Sequence, residues 1–358
     1  MSDGGRVLVC DALAQARGVR AGMRLSAACA LVPQLDHRPR NAAAETAALQ
    51  ALATWALKFT PNVSLERPRA LLLDIEGSLK LFGGIRRIVQ ALERDLEMMG
   101  YQAGRACAPT SAAALLLARG GDQQMINSKR VLEAVIAALA PAALTDNAAM
   151  LQAFAAIGVK RIGDLLNLPR DGLARRFGQN LLDTLDRALG KRPAPRHFFT
   201  PPAQFNARLE LPSPVANSEA LLFAAKRLLT QLAGFLASRN GGIQRYALKF
   251  EHEDRAPSSI EIGLVAPSRD AERLVLLARE RLAAFVLPEP AAAIAVEADE
   301  ILALAPDSRH LFPDRVNSPG EWEKLVERLR ARLGSGAVHG LATRAEHRPE
   351  YARRVMLV

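Results

Sequence analysis

The spacing of apolar residues changes several times along this chain, and these changes predict a mixed α/β fold. Residues 41–59 are Ala-rich and carry apolar side chains at helical spacing. Residues 70–75 form a short apolar run that ends before Gly77, which is typical of a buried strand. A helix with one apolar face is predicted between Gly84 and Gly100. Strand and helix in alternation indicate an α/β layer.

Shorter patterns flank these elements. A strand is predicted at 7–10, another at 101–107 and a helix at 111–118. The pattern weakens over 120–146, which predicts a connection, and short helices follow over 147–190.

The second half of the chain predicts a compact domain of strand, helix, strand, strand, helix and strand. Its long amphipathic helix spans 217–238 and a second helix spans about 270–285. This βαββαβ order is the ferredoxin-like split arrangement. One more amphipathic helix, near 320–333, contains Trp322.

Composition and charge narrow the function. The chain has 358 residues, 49% of them hydrophobic, which is enough for several packed domains. No apolar run long enough for a membrane span and no signal peptide are recognised, so a cytoplasmic protein without a membrane partner is expected. Its three cysteines lack metal-ligand spacing and are expected to be reduced. The net charge of +10 favours a polyanionic partner, although a general preference for Arg explains it equally well.

Four collinear stretches resemble Y-family translesion DNA polymerases. Arg17 to Met23, with Leu31-Val32-Pro33, resembles the fingers, and Leu72 to Ile75 with Leu81-Phe82-Gly83 resembles the end of the palm motif. Ile157 to Leu165 resembles the helix–hairpin–helix-like thumb, and 204–304 the little finger. The Leu-Phe-Gly-Gly run and the stretch from Leu333 to Glu350 are most similar to the ImuB-like branch, whose members are regarded as inactive polymerase homologues.

The resemblance implies six segments. They are a fingers-like remnant at 1–40, a palm-like α/β domain at 41–140 expected to lack its first strand, a helical thumb at 141–190, a basic linker at 191–203, a little finger at 204–305, and a tail at 306–358.

The residues at the palm site predict a loss of polymerase chemistry. Nucleotidyl transfer needs two divalent cations held by clustered carboxylates. Ungapped alignment puts Arg69 and Ala70 at the metal-binding pair, and an alternative alignment uses Glu66 beside Arg67. A cation there repels Mg²⁺. Leu115 stands where the family has a phosphate-binding Lys. No cofactor is therefore expected, with Mg²⁺ required only if the chain is an active polymerase.

The thumb-like segment predicts DNA-backbone contact. Between residues 160 and 196 lie nine basic and four acidic residues. Gly158 and Gly163 would allow backbone amides close to phosphates. The alternative is a solvated helical face. The predicted DNA-binding residues are Gly158, Lys160, Arg161, Gly163, Arg175, Arg176, Arg192 and Arg245.

A further peptide suggests a protein partner. Ser308, Leu311 and Phe312 lie where the family carries a sliding-clamp-binding peptide, and two adjacent apolar side chains could fill a clamp groove. Packing of the same side chains on their own domain is the alternative. The resemblance also implies a RecA-like accessory protein and an error-prone C-family polymerase as partners.

The expected function is a non-catalytic, DNA-binding scaffold in SOS-induced mutagenic translesion repair. Two alternatives stay open: an active Y-family polymerase that uses Glu66 and Asp74 as metal ligands, and a protein-interaction module without affinity for DNA.

Overall fold

The chain forms two compact units, Met1–Gln50 and Ala51–Val358, in a computed structural model. The structure describes residues 1–121, 125–202, 204–298, 300–304, 319–333, 337–343, 345, 347–348 and 353–357. Both helices and sheets are present, so the predicted mixed α/β class is confirmed. The division into six segments is finer than these two units and stays a prediction.

The first unit is built on a very short hairpin. Strands β1 (Ser2–Asp3) and β2 (Arg6–Val7) pair antiparallel across two glycines. Helices α1 (Ala12–Ala16) and α2 (Leu25–Leu31) follow, and α3 (Ala42–Ala56) begins in this unit. The core of the unit is small: Val7, Ala14, Val19, Ala28 and Val32. The predicted strand at 7–10 was wrong beyond residue 7, because the Leu8 and Val9 amides donate back to the Met1 carbonyl.

The second unit starts with a two-stranded sheet. Strands β3 (Val63–Glu66) and β4 (Ala70–Leu73) are antiparallel, with Val63 opposite Leu73. A one-turn helix (Glu76–Ser78), α4 (Leu79–Phe82) and α5 (Ile85–Met98) follow. The core of this α/β segment contains Trp55, Phe59, Val63, Ile88 and Met99.

The predicted strand at 101–107 does not form. Only Cys107 makes a single bridge, to Met125. Ala103 and Gly104 offer little side chain to hold a strand on a sheet. A Cβ at Gly104 would lie 2.8 Å from the Ala118 carbonyl oxygen, so this residue instead packs closely against α6.

A helical segment follows. It consists of α6 (Ser111–Arg119), α7 (Lys129–Ala138), a one-turn helix (Pro141–Ala143), α8 (Ala148–Ala156), α9 (Ile162–Leu166), α10 (Arg170–Phe177) and α11 (Gln179–Ala188). The region predicted as a connection thus contains α7. Its buried residues, Leu132 and Ile136, have helical spacing that its small and polar neighbours obscured.

The next domain has the predicted βαββαβ order. Strands β5 (Asn206–Val215), β6 (Gly241–Glu251), β7 (Ser258–Ser268) and β8 (Ala291–Glu297) are joined through α12 (Ser218–Ser238) and α13 (Ala271–Ala284). The sheet order is β5-β8-β6-β7, and β9 (Leu302–Ala303) pairs with β6. Its helix-facing side forms the largest core, with Tyr246, Leu248 and Phe250 fully buried.

Helix α12 is long and apolar enough to cross a membrane, but two thirds of its most apolar window (67%) is buried in this domain. It is therefore placed as a core helix.

The tail helix packs on the βαββαβ domain. Helix α14 (Pro319–Leu333) buries Val326 and Glu327 against β7 and α13. The Glu327 carboxylate accepts hydrogen bonds from the Val265 amide, at 2.7 Å, and from the Arg273 guanidinium. Strands β10 (His339–Thr343) and β11 (Arg353–Leu357) form a final antiparallel hairpin.

Candidate nucleic-acid interface

The hairpin between α8 and α9 is shaped by one carboxylate. Gly158 follows α8 with a φ of +79°, a conformation that favours glycine. The Asp164 carboxylate then accepts the amide hydrogens of Lys160, at 2.8 Å, and Arg161, at 2.9 Å. These two bonds hold the pKa of Asp164 below its usual value. Asp164 therefore caps α9 and closes the turn.

The other amides of this hairpin are also engaged. The amide of Gly158 donates to Ala155, that of Val159 to Phe154 and that of Ile162 to Leu139, at 2.8–3.0 Å. A phosphate at this turn would therefore meet the exposed side chains of Lys160 and Arg161 instead of the amides of residues 158–162.

The two glycines of the hairpin have different surroundings. A Cβ at Gly158 would meet nothing within 4 Å, so the space beside this residue is open. A Cβ at Gly163 would lie 3.1 Å from both Cβ and the carbonyl oxygen of Ala137. Gly163 thus allows α9 to pack closely on α7. The DNA contact of both glycines stays a prediction.

Three of the nine basic residues between 160 and 196 form ion pairs. Arg170 binds Asp186 at 2.6 Å, Arg192 binds Asp183, and Arg196 binds Glu66. In the part of the chain that the structure describes, the other six form no ion pair: Lys160, Arg161, Arg175, Arg176, Arg187 and Lys191. All six are exposed. We call this set the free cations of the helical segment.

Arg192 differs from the other predicted DNA-binding residues because its guanidinium forms an ion pair. Its guanidinium is bound to Asp183, whose pKa is lowered mainly by a hydrogen bond from Gln179 and further by Arg192.

Arg175 and Arg176 lie in the last turn of α10, where Arg176 also stacks 5.5 Å from the centre of the Phe177 ring. Arg245 lies exposed on β6, opposite Gly263 of β7.

Three of the palm positions predicted to be degenerate, Glu66, Arg69 and Ala70, lie in the β3–β4 hairpin. Glu66 ends β3, and its carboxylate is bound by Arg196, whose Nε also donates to Ser111 Oγ at 3.2 Å. Arg69 lies in the exposed turn and binds Asp146 at 2.9 Å, and Ala70 begins β4. Leu115 lies half-buried on α6.

Asp74, the other candidate metal ligand, caps a turn. Its Oδ1 accepts the Glu76 amide at 3.3 Å, and its side chain is exposed. Among the described residues, no group of three or more His, Cys, Asp or Glu side chains could hold a metal ion. The residues present at this position therefore do not fit a two-metal centre, since a guanidinium already occupies the Glu66 carboxylate.

The clamp-like residues Ser308, Leu311 and Phe312 lie outside the described residues, and clamp binding stays a prediction. The side chain of Trp322 is likewise not described.

Sequence reasoning missed two polar contacts in this unit. Asp164 sits three residues after the helix-start residue Arg161, which is the spacing of a capping box and could have been recognised. Glu327 carries no such signal, because its partners are 54 and 62 residues away.

Comparison with known proteins shows to which protein family this chain belongs. The impB/mucB/samB family model matches residues 1–119, so the first third of the chain carries a Y-family domain. Protein ImuB of Caulobacter vibrioides, strain NA1000 / CB15N, is 32% identical over 334 residues, which are 93% of this chain and 73% of that relative. Protein ImuB of strain ATCC 19089 / CIP 103742 / CB 15 matches equally.

Two solved structures are also similar. The insertion ternary complex of Dbh DNA polymerase has a TM-score of 0.44 and 16% identity, with 82% of this chain and 87% of that chain covered. DinB from Sulfolobus solfataricus has a TM-score of 0.42 and 17% identity, with 82% and 86% covered.

The chain belongs to the ImuB family of Y-family polymerase-like proteins. The predicted resemblance is thereby confirmed.

Proposed function

We propose that this chain is a non-catalytic scaffold of SOS-induced mutagenic translesion repair that binds DNA in the cytoplasm without regard to sequence. The observation that carries the proposal is the set of free cations on the helical segment, which lies next to a palm hairpin whose remaining carboxylate is bound by Arg196.

The DNA-binding part rests on six exposed cations whose side chains form no ion pair among the described residues. Phosphate contacts by Lys and Arg release counterions, so binding by the free cations would be sequence-independent and steeply salt-dependent. Lys160 and Arg161 project from the turn at the open side of Gly158, where backbone can approach closely. These two residues are the centre of the proposed interface.

The non-catalytic part rests on the environment of Glu66. Two-metal catalysis requires several carboxylates around two cations. Glu66 is instead committed to Arg196, and Arg69 lies in the adjoining turn, so the local charge opposes a divalent cation. The Glu66 carboxylate thus serves to hold the linker on β3 through Arg196.

The scaffold part concerns protein partners. The proposed partners are a sliding clamp, through Ser308, Leu311 and Phe312, together with a RecA-like accessory protein and an error-prone C-family polymerase. In chain order these residues come between β9, which pairs with β6, and α14, which binds β7 and α13.

DNA binding is tested with a fluorescent duplex and anisotropy at several salt concentrations. Lys160→Gln with Arg161→Gln should weaken binding about tenfold or more and reduce the log–log salt slope by about 2. Arg279→Gln, an exposed charge on α13, is the matched control and should leave affinity unchanged. Wild-type protein that stays unbound at low salt would favour the protein-interaction module.

Catalysis is tested by primer extension with Mg²⁺ or Mn²⁺. We expect no template-dependent extension by the wild-type chain or by Glu66→Gln. Extension that is lost in Glu66→Ala and in Asp74→Ala would establish the active-polymerase alternative instead.

A further inference from the structure

The tail helix α14 is attached to the βαββαβ domain through two ion pairs with α13. The Glu327 carboxylate, whose side chain is 1% exposed, binds the Arg273 guanidinium through two nitrogens, at 2.7 and 2.5 Å. The same carboxylate accepts the Val265 amide of β7 at 2.7 Å. Further along α14, Arg332 Nε lies 4.0 Å from the Glu280 carboxylate of α13. Charge therefore specifies where α14 lies on this surface.

The described leucines of α14 take little part in this attachment. Leu325, Leu329 and Leu333 are 46%, 39% and 63% exposed, whereas Val326 is buried. A helix that completes a domain core places its apolar stripe against that core. Helix α14 instead turns a carboxylate inward, so its attachment depends on an ion pair more than on the burial of these leucines.

The core of the βαββαβ domain is complete without α14. Its buried residues come from the four strands β5 to β8 and from α12 and α13, and none of the described residues of α14 belongs to it. Departure of α14 would therefore leave this core closed. It would uncover the Arg273 guanidinium and the Val265 amide, which lies on the edge strand of the sheet. Both groups can bind water in place of the carboxylate.

The groups that α14 covers form a site for one carboxylate. A guanidinium presents parallel N–H groups that match the two oxygens of a carboxylate, and the Val265 amide supplies a further donor. The Arg273 side chain is only 13% exposed with α14 in place. A neutral or cationic side chain at position 327 would leave this guanidinium buried without a counter-charge, which is costly. The site therefore selects helices that carry a carboxylate.

We infer that the surface formed by α13 and β7 is a docking site for a helix with a carboxylate on its inner face, and that α14 is its releasable occupant within the chain. The partner that fits this site is an amphipathic helix with Glu or Asp opposite Arg273 and, nearer its carboxyl end, a cation opposite Glu280. Such a helix displaces α14 by competing for Arg273. The free cations of the helical segment take no part in this site, so the inference does not depend on DNA binding.

Binding in trans tests the docking site in the full chain. The probe is a fluorescein-labelled synthetic peptide of residues 319–333, and the receptor is the Glu327→Arg chain, in which a second cation beside Arg273 expels its own α14. In fluorescence anisotropy the peptide should bind this variant at least about tenfold more tightly than the wild-type chain, whose site is filled. The change Glu327→Gln in the peptide should weaken binding about tenfold or more, since Arg273 then lacks a counter-charge.

Arg328→Glu in the full chain is the matched control, because it reverses an exposed charge of the same helix. This variant should bind no more peptide than the wild-type chain. Equal peptide binding by the wild-type and Glu327→Arg chains, or equal binding of the two peptides, would contradict a carboxylate-selective site that α14 fills.

Hydrogen exchange followed by mass spectrometry shows whether α14 leaves the domain alone. In the Glu327→Arg chain the amides of α14 should exchange about 100-fold faster or more, because loss of one partner of a buried ion pair is strongly destabilising. The amides of β6 and α12 should keep their protection. Unchanged exchange of α14, or protection lost throughout the five-stranded sheet, would show that α14 is a fixed part of the domain and overturn the inference. Failure of the peptide to bind a chain whose α14 has been released would overturn the docking site.

Discussion

Two sheets of the second unit, the five-stranded sheet and the β3–β4 hairpin, are completed in opposite ways. The five-stranded sheet lies on its own helices, α12 and α13, and encloses its own core. The β3–β4 hairpin is completed by distant parts of the chain. The Phe199 amide donates to the Val63 carbonyl at 2.7 Å, the Phe199 side chain joins the hairpin core, and Arg196 binds Glu66.

Helix α12 connects these two pieces. Its core face supports the five-stranded sheet, while Gly234 lies against the backbone of Trp55. Arg227 of the same helix stacks 4.3 Å from the centre of the Tyr101 ring and donates to its hydroxyl. Burial and the Arg227 charge act oppositely on the pKa of Tyr101, and burial prevails, so that pKa is raised. The difference between the two sheets shows that one is stabilised within its own βαββαβ domain and that the other depends on contacts with other parts of the unit.

The largest effect is expected in the core of the five-stranded sheet. Phe250 is fully buried, so Phe250→Ala should lower the free energy of unfolding by about 3–5 kcal/mol. Urea denaturation followed by circular dichroism measures this loss. Phe223→Ala, on a 63% exposed side chain of α12, is the control and should change stability by less than about 0.5 kcal/mol. Equal losses of stability in Phe250→Ala and Phe223→Ala would contradict the conclusion that this sheet is stabilised by its own core.

A smaller effect is expected where α12 meets the α/β segment. A Cβ at position 234 would lie 2.5 Å from the Trp55 Cα and 2.8 Å from its carbonyl oxygen, and backbone cannot easily move away. Gly234→Val should therefore cost about 1–3 kcal/mol. It should also shift the Trp55 fluorescence to longer wavelength as water reaches the ring.

The chain has two tryptophans, so this measurement is made in a Trp322→Phe background. Gly263→Val is the matched control, because a Cβ there meets nothing within 4 Å. An unshifted Trp55 spectrum in Gly234→Val, with stability retained, would show that the two sheets do not depend on this contact.

The smallest effect concerns a surface charge of the five-stranded sheet. Since Arg208 lowers the folded-state pKa of Glu251, the pair stabilises the fold above the unfolded pKa, at neutral pH, and the stabilisation is lost as the pH falls below about 4. Glu251→Gln should reduce stability by no more than about 1 kcal/mol at pH 7. The melting temperatures of wild type and variant should converge near pH 3, and a constant difference from pH 7 to pH 3 would exclude this linkage.

Local patterns in the sequence predicted much of the second unit. The βαββαβ order and the helix predicted at 217–238, observed at Ser218–Ser238, follow from apolar periodicity and turn residues within a few positions. The hairpin between α8 and α9 was predicted from the resemblance of Ile157 to Leu165 to the helix–hairpin–helix-like thumb. Apolar periodicity fails to predict the secondary structure where small residues dominate, as at Ala103 and Gly104. Such residues supply too little apolar surface for either the helical or the strand pattern to be recognised.

The free cations of the helical segment illustrate what the sequence determines and what only the tertiary structure determines. The sequence by itself determined that nine basic residues lie between residues 160 and 196. The replacement of carboxylates by Arg69 and Ala70, or by Arg67 beside Glu66, stays a prediction from the sequence. Only the tertiary structure decided which charges remain available, since Arg196 is neutralised by Glu66 at a separation of 130 residues, and Lys249 by Glu297 at 48. Charge is a property of each residue, whereas its neutralisation depends on which residues the folded chain brings within a few ångströms.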